Sequence, residues 1–257
     1  MSHIFLSDVH LGAFSDLADQ RVRHDLAELI RYCSDQNIKI HIHGDLFDYW
    51  MEYPKWRPDI GKKILERFSD YMKKHGPINY VTGNHDNWTS GYFEKLGFNI
   101  SHDFFDLSLN GKRLFLHHGD GLSVPDLNLP RPTMHRLLRN KTFVKLYQKL
   151  LPPKAGISAM KVFSKISKRR AYCDPSILND WSKQFLENST YDIVICGHDH
   201  HPRIHEYEFG TYMNTGTFFE HRTVGKYTNG ILKLVTWDAE LKALKPYDNR
   251  LQTTANL

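Results

Sequence analysis

Apolar and polar positions alternate along this chain in two rhythms, one short and one long. Ile4-Phe5-Leu6 is a short apolar run of the kind that forms a buried strand. Residues 19 to 36 follow with apolar positions at Val22, Leu26, Leu29 and Ile30, the spacing of one helix face. Ile38 to Ile42 is a second strand. Residues 59 to 75 form a second helix, with Ile60, Ile64, Leu65, Phe68 and Met72 on one side, and Ile78 to Val81 a third strand. This strand–helix alternation predicts a layered α/β domain. Later runs at 104–109, 112–117, 191–196, 203–208, 211–214 and 230–236 read as further strands. Asn110-Gly111 is a hairpin signal between two of them. The expected fold is α/β: a two-sheet β-sandwich core flanked by helices.

Residues 123 to 176 break the rhythm. Six prolines, from Pro125 to Pro175, divide the stretch into short helical pieces. Within it Leu137, Leu138, Val144, Leu146, Tyr147, Leu150, Leu151, Met160, Val162, Phe163 and Ile166 are interleaved with Lys and Arg. The division expected is a core of 1–122 and 177–257 with a basic helical cap, 123–176, inserted between core strands. Charge sharpens that division. Residues 123 to 172 hold twelve Lys and Arg against the single acid Asp126, a net +11, which leaves −6 for the rest of a chain whose total is +5. An excess of that size points to an anionic partner.

The 257 residues suffice for one large domain, and 40% of them are apolar. No run is long and apolar enough to span a bilayer, and the first residues lack a secretory pattern. Cys33, Cys173 and Cys196 are odd in number and widely spaced. That argues against a disulfide framework or a thiolate zinc site and fits a reducing cytoplasm.

The chemistry gathers in five short segments, each closing an apolar run: Asp8-Val9-His10, Gly44-Asp45, Gly83-Asn84-His85-Asp86, His117-His118-Gly119-Asp120 and Gly197-His198-Asp199-His200. Loops at the carboxyl ends of strands in α/β folds converge on one crevice. Asp and Asn oxygens with neutral imidazoles suit divalent first-row metals. His117 should point away from its neighbour His118 into the core, and His201, before Pro202, is outside the ligand set. Asp48 and Asp120 are candidates for outer carboxylates that orient ligands.

The order of these segments resembles the calcineurin-like metallophosphoesterase signature over most of the chain. The resemblance implies two metal ions, manganese foremost and iron or zinc otherwise. Asp8, His10, Asp45 and His200 would hold one metal. Asp45 would bridge to a second held by Asn84, His118 and His198, and His85 would contact the phosphoryl oxygen or leaving group. Ser7-Asp8-Val9-His10-Leu11-Gly12, Gly44-Asp45-Leu46-Phe47-Asp48 and His118-Gly119-Asp120-Gly121, followed by a basic helical insertion, are similar to the UDP-2,3-diacylglucosamine diphosphatases of lipid A synthesis. That likeness implies cleavage of an acylated sugar nucleotide to UMP and a lipid monophosphate. It also implies a cap that meets an amphiphilic anionic substrate and an anionic membrane surface, with the protein in the cytoplasm or on the inner face of the membrane. One position departs from that group: His85 stands where its best-studied members carry Arg, and is the common residue of the wider superfamily. Another nucleotide diphosphate or a phosphodiester is therefore the alternative substrate. A nuclease is disfavoured because the insertion is apolar as well as basic and holds no nucleic-acid module. A non-catalytic scaffold is disfavoured by the full ligand set.

Overall fold

The first apolar run becomes β1 (Ser2–Leu6), whose Ile4, Phe5 and Leu6 are buried. The computed structural model describes residues 1–168 and 174–248. Arg169, Arg170 and Cys173 lie outside the described residues, as do the side chains of Phe163 and Ile166. Helix α1 (Asp16–Asp35) buries Val22, Leu26, Leu29 and Ile30, the face expected of it. It leads to β2 (Lys39–His43), which lies parallel to β1 with Ile40 beside Ile4. Helix α2 (Lys62–His75) begins later than residue 59 because Gly61 before it is left-handed, at φ +68°. β3 (Asn79–Val81), α3 (Tyr92–Leu96) and the edge strand β4 (Asn99–Ser101) complete this half.

The expected hairpin forms between β5 (Phe104–Leu109) and β6 (Lys112–His117). Its turn residues Asn110 and Gly111 have φ of +53° and +77°, the paired positive values of a tight hairpin turn. Helices α4 (Thr133–Arg139), α5 (Lys141–Leu150) and α6 (Pro153–Lys168) follow, then α7 (Pro175–Glu187) and β7 (Ile193–Cys196). The remaining strands are β8 (Arg203–Tyr207), β9 (Gly210–Asn214), β10 (Thr223–Thr228), β11 (Ile231–Asp238) and β12 (Ala243–Pro246), with the short helix α8 (Phe218–His221) before β10.

Two sheets result, ordered β12-β11-β10-β1-β2-β3-β4 and β5-β6-β7-β9-β8. Phe5, Val81 and Tyr227 of the first meet Leu114, Leu116, Ile193 and Ile195 of the second in a dry interior. Helices α1 and α2 cover the outer face of the first sheet. Helix α7 covers the second, setting Leu178, Trp181 and Phe185 against Phe115, Val194 and Tyr212. β10 was not expected, because Gly225 and Lys226 interrupt its apolar pattern, yet it pairs with β1 near the centre of the larger sheet. A Cβ at Gly225 would crowd Met213 Sδ across the sandwich, so the glycine allows the two sheets to approach.

The apolar residues of α4 to α6 divide into two sets. Leu138, Phe143, Val144, Tyr147, Ile157 and Met160 pack against Met51, Tyr53 and Trp88 of the core. These close onto protein instead of lining open room, and, being partly buried, each stabilises the join by less than the about 1.5–3 kcal/mol of full burial. Met134, Leu137, Leu146, Leu150 and Val162 stay exposed, among the exposed cations Arg136, Lys141, Lys145, Lys149, Lys154 and Lys161.

Candidate metal centre

Five strands deliver the five polar segments to one place. Asp8 and His10 follow β1, Asp45 follows β2, Asn84 and His85 follow β3, His118 follows β6, and His198 and His200 follow β7. Beyond β1 and β2 the two loops stay paired: Asp8 N–H donates to Gly44 O at 3.1 Å, and Val9 and His10 N–H both donate to Asp45 O, at 2.9 and 3.0 Å. Asp86 ties in the third loop. Its carboxylate accepts from Gly83 N–H at 2.7 Å and Leu46 N–H at 2.8 Å, and from the Tyr80 hydroxyl.

Backbone strain marks the same residues. Asp8, His10, Asp45, His198 and His200 are non-glycine residues at φ +49°, +49°, +53°, +74° and +66°. Such conformations cost about 1–3 kcal/mol each and persist where surrounding structure enforces them, often at functional sites. The loops also need glycine. A Cβ at Gly44 would strike the His118 ring, one at Gly83 the Asp45 carboxylate and one at Gly197 the Asp8 carboxylate.

The side chains converge tightly. Asp8 Oδ1 lies 3.3 Å from His200 Nε2 and 3.8 Å from His10 Nε2. Asp45 Oδ2 lies 3.4 Å from His118 Nε2, 3.8 Å from His10 Nε2 and 4.0 Å from His85 Nε2. Asn84 Oδ1 is 3.2 Å from His118 Nε2. Three sets have ligand atoms close enough to share an ion: Asp8, His10 and His200; His10, Asp45 and His85; and Asp8, Asp45 and His118. The His198 ring lies beside His118, 5.1 Å between centroids. Thus six of the expected ligands, Asp8, His10, Asp45, Asn84, His118 and His200, come together with His85, and His198 adjoins them through its ring contact with His118 alone.

The arrangement fits a cation on three counts. Among the described residues Asp8 Oδ1 is buried facing only the His10 and His200 imidazoles, while its other oxygen accepts from Ser7 Oγ–H at 2.5 Å and His198 N–H at 3.1 Å. A buried carboxylate oxygen left like this costs several kcal/mol unless positive charge faces it. Next, His118 Nδ1 lies 2.9 Å from His43 O, an acceptor only, so Nδ1 carries the proton and Nε2 turns toward Asp45 and Asn84. Finally, the carboxylates make this place favourable to positive charge. Burial opposes charge on His10 and His118, yet the carboxylates beside them raise the imidazoles to about 9 and about 10. One residue from His118, His117 does the opposite. Burial against Trp181 and Phe115 lowers it to about 3.

Other expected residues fall as follows. Asp48 sits between two site imidazoles, its Oδ1 3.6 Å from His10 Nδ1 and 3.7 Å from His85 Nδ1. His85 Nδ1 also donates to the Asp48 carbonyl at 2.5 Å, which aims Nε2 inward. Asp120 does not orient the His118 ring. The His43 carbonyl holds Nδ1, and Asp120 Oδ2 instead accepts from Arg139 Nη2 at 2.8 Å. His201 is half exposed and folds back on the Asp199 carbonyl. Asp199, inside the fifth segment, is a structural anchor, pairing with Arg203 at 2.7 Å and accepting from Asn214 at 2.9 Å. No local pattern marks Thr215, whose hydroxyl touches both Ser7 Oγ at 2.8 Å and His43 Nε2 at 2.9 Å and so braces Asp8 from behind.

The family model for calcineurin-like phosphoesterases matches residues 1–202, a span holding every one of the converging ligands. The chain belongs to the calcineurin-like phosphoesterase family. It is a metal-dependent hydrolase of phosphoric esters or anhydrides, and membership implies divalent metal ions at this centre. Among curated relatives, the UDP-2,3-diacylglucosamine hydrolase of Porphyromonas gingivalis is 26% identical over 80% of this chain and 80% of that protein. The protein of the same name from Shewanella piezotolerans is 27% identical over 82% and 87%. Of solved structures, an archaeal phosphodiesterase aligns with a TM-score of 0.50 at 13% identity, over 91% of this chain and 98% of that one. The hypothetical protein PH1004 of Pyrococcus horikoshii aligns with a TM-score of 0.50 at 10% identity, over 99% and 91%. Likeness at that identity is one of fold. No helix among the described residues is long and apolar enough to cross a membrane.

Proposed function

We propose that this protein hydrolyses the pyrophosphate bond of UDP-2,3-diacylglucosamine, releasing UMP and a diacylglucosamine phosphate, with two divalent cations, manganese foremost. The observation that carries the reaction class is the largely buried cluster in which Asp8, His10 and His200 face Asp45, Asn84 and His118. In it Asp8, His10, Asp45 and His200 would hold one cation, and Asp45, Asn84, His118 and His198 would hold the other. When bound, the cations supply Lewis acidity and an activated water for in-line attack. The chain's own groups do the rest. His43 O fixes the His118 tautomer. Asp48 orients His10 and His85, and His85 Nε2, beside Asp45, donates to the departing oxygen.

Two curated relatives named for this substrate, each matched over four-fifths of both chains, support the substrate reading. The insertion supports it physically. Exposed Met134, Leu137, Leu146, Leu150 and Val162 offer apolar surface to acyl chains, and the surrounding lysines face an anionic head or leaflet. On this reading the protein works in the cytoplasm, against the inner face of the membrane. His85 favours a second reading, because an imidazole in place of Arg gives up bidentate phosphate recognition. A related nucleotide diphosphate or phosphodiester is then the substrate. Mass spectrometry of products from a panel of the acylated sugar nucleotide, unacylated UDP-sugars and CDP-diacylglycerol separates the two. UMP released fastest from the diacylated substrate supports the proposal, and equal rates on the unacylated sugar nucleotide contradict it.

A further inference from the structure

We infer that Arg139, carried by the helical insertion, is a positioning residue for the second cation, so that the insertion completes the metal centre as well as facing substrate. This rests on the two-cation reading above and is independent of which phosphate compound is cleaved. Arg139 leaves the end of α4 and enters the core, where its side chain is 9% exposed. One guanidinium nitrogen, Nη2, donates to Gly83 O at 2.9 Å, Thr82 O at 3.1 Å and Asp120 Oδ2 at 2.8 Å. The other, Nη1, reaches His102 O at 3.2 Å and Thr82 Oγ1 at 3.3 Å. Gly83 precedes the ligand Asn84, and Asp120 lies two residues beyond the ligand His118. One planar cation therefore joins the two loops that bring Asn84 Oδ1 within 3.2 Å of His118 Nε2.

Among the described residues no hydrogen bond runs from Arg139 to the loops carrying Asp8, His10 and His200; the first is held by its pairing with the β2 loop and by Thr215, and the last by Asn214 and Arg203 at Asp199. The effect of Arg139 should therefore fall on one half of the centre. Two influences of Arg139 oppose each other. Its positive charge disfavours a nearby cation, whereas its fork fixes the spacing of two ligands. Charge alone predicts tighter second-cation binding when Arg139 is removed. Positioning predicts weaker binding, by about 10–100-fold, the usual cost of losing a group that orients ligands. A lysine keeps the charge but cannot span both loops with a planar fork.

The test uses Mn²⁺ and the full chain. Arg139→Met strands Asp120 as a buried charge and risks misfolding, so Asp120→Asn/Arg139→Met, which removes both charges, is measured beside Arg139→Lys. Calorimetric titration gives the two affinities, and electron paramagnetic resonance distinguishes a coupled manganese pair from isolated ions. In both variants the second affinity is expected to fall about 10–100-fold with the first unchanged. At Mn²⁺ levels that fill both sites of the wild type, isolated-ion signal should replace the coupled one. Wild-type affinities, a tighter second site or an equal loss at both sites would overturn the inference. A wild-type protein that never gives a coupled signal would instead refute the two-cation reading.

Discussion

The strand-end loops and the helical insertion are built to opposite specifications. In the strand-end loops Asp8, His10, Asp45 and His118 are buried, and Asp8, His10, Asp45, His198 and His200 are bent into costly backbone conformations that neighbouring loops enforce. The insertion joins the core through two apolar clusters and a few arginines, and leaves large apolar side chains in solvent. Chemistry that depends on ångström placement needs the first kind of support. Recognition of a flexible amphiphile tolerates the second. The difference teaches where substitutions should act: in the loops on the reaction itself, in the insertion on the choice of substrate. Arg139 is the exception, an insertion residue working inside the first regime.

The largest effect that would sharpen this contrast is Asp45→Ala. Its carboxylate faces three imidazoles, so both cations and at least ~10³-fold of turnover should be lost, more than one electrostatic donor contributes. Near-stoichiometric uptake of two metals by the variant would break the bridging assignment. His85→Gln should keep both metals and slow turnover by roughly 10²–10⁴-fold, the range of general acid–base help. Unchanged turnover with the metals in place would remove His85 from the chemistry.

His117 tests the core side from within. Its folded pKa of about 3 lies below the unfolded value of 6.5, so the unfolded chain binds the extra proton. The stability this histidine contributes is therefore present above pH 6.5 and lost as pH falls toward 3. His117→Phe should escape that loss, gaining about 2 kcal/mol over the wild type between pH 7 and pH 5 in denaturant midpoints. An equal loss in both proteins would mean that the ring is not held neutral. The smallest effect belongs to the insertion. Leu146→Ser with Leu150→Ser should lower kcat/KM for the diacylated sugar nucleotide about tenfold and weaken binding to anionic vesicles. Hydrolysis of bis-p-nitrophenyl phosphate should stay the same. Equal losses on both substrates would place these leucines in the scaffold.

The ligands were legible because their chemistry is written locally. An Asp or His after an apolar run, beside a glycine, needs no distant partner to be noticed, and five such segments converge only at strand ends. The strands β1 to β3 and the hairpin at Asn110-Gly111 were legible for the same reason. β10 was hidden because its place beside β1 depends on Gly225 fitting under Met213, a contact between residues far apart in sequence. Arg139 was hidden among twelve cations of one segment. Its side chain is long enough to reach Gly83 and Asp120, and only tertiary structure separates it from exposed Lys141 or Lys145. Asp120 was misread because proximity to His118 in sequence suggested a partner that the His43 carbonyl had already supplied.

Dependence of catalysis on two cations held by the strand-end loops is open to direct measurement. Apoprotein prepared with a chelator and titrated with Mn²⁺, with bound metal and phosphodiester hydrolysis followed in the same samples, tests it directly. Two equivalents should bind per chain, with turnover absent at the start and rising as the second is taken up. Full turnover in the chelated protein, or saturation of activity at one equivalent, would contradict it.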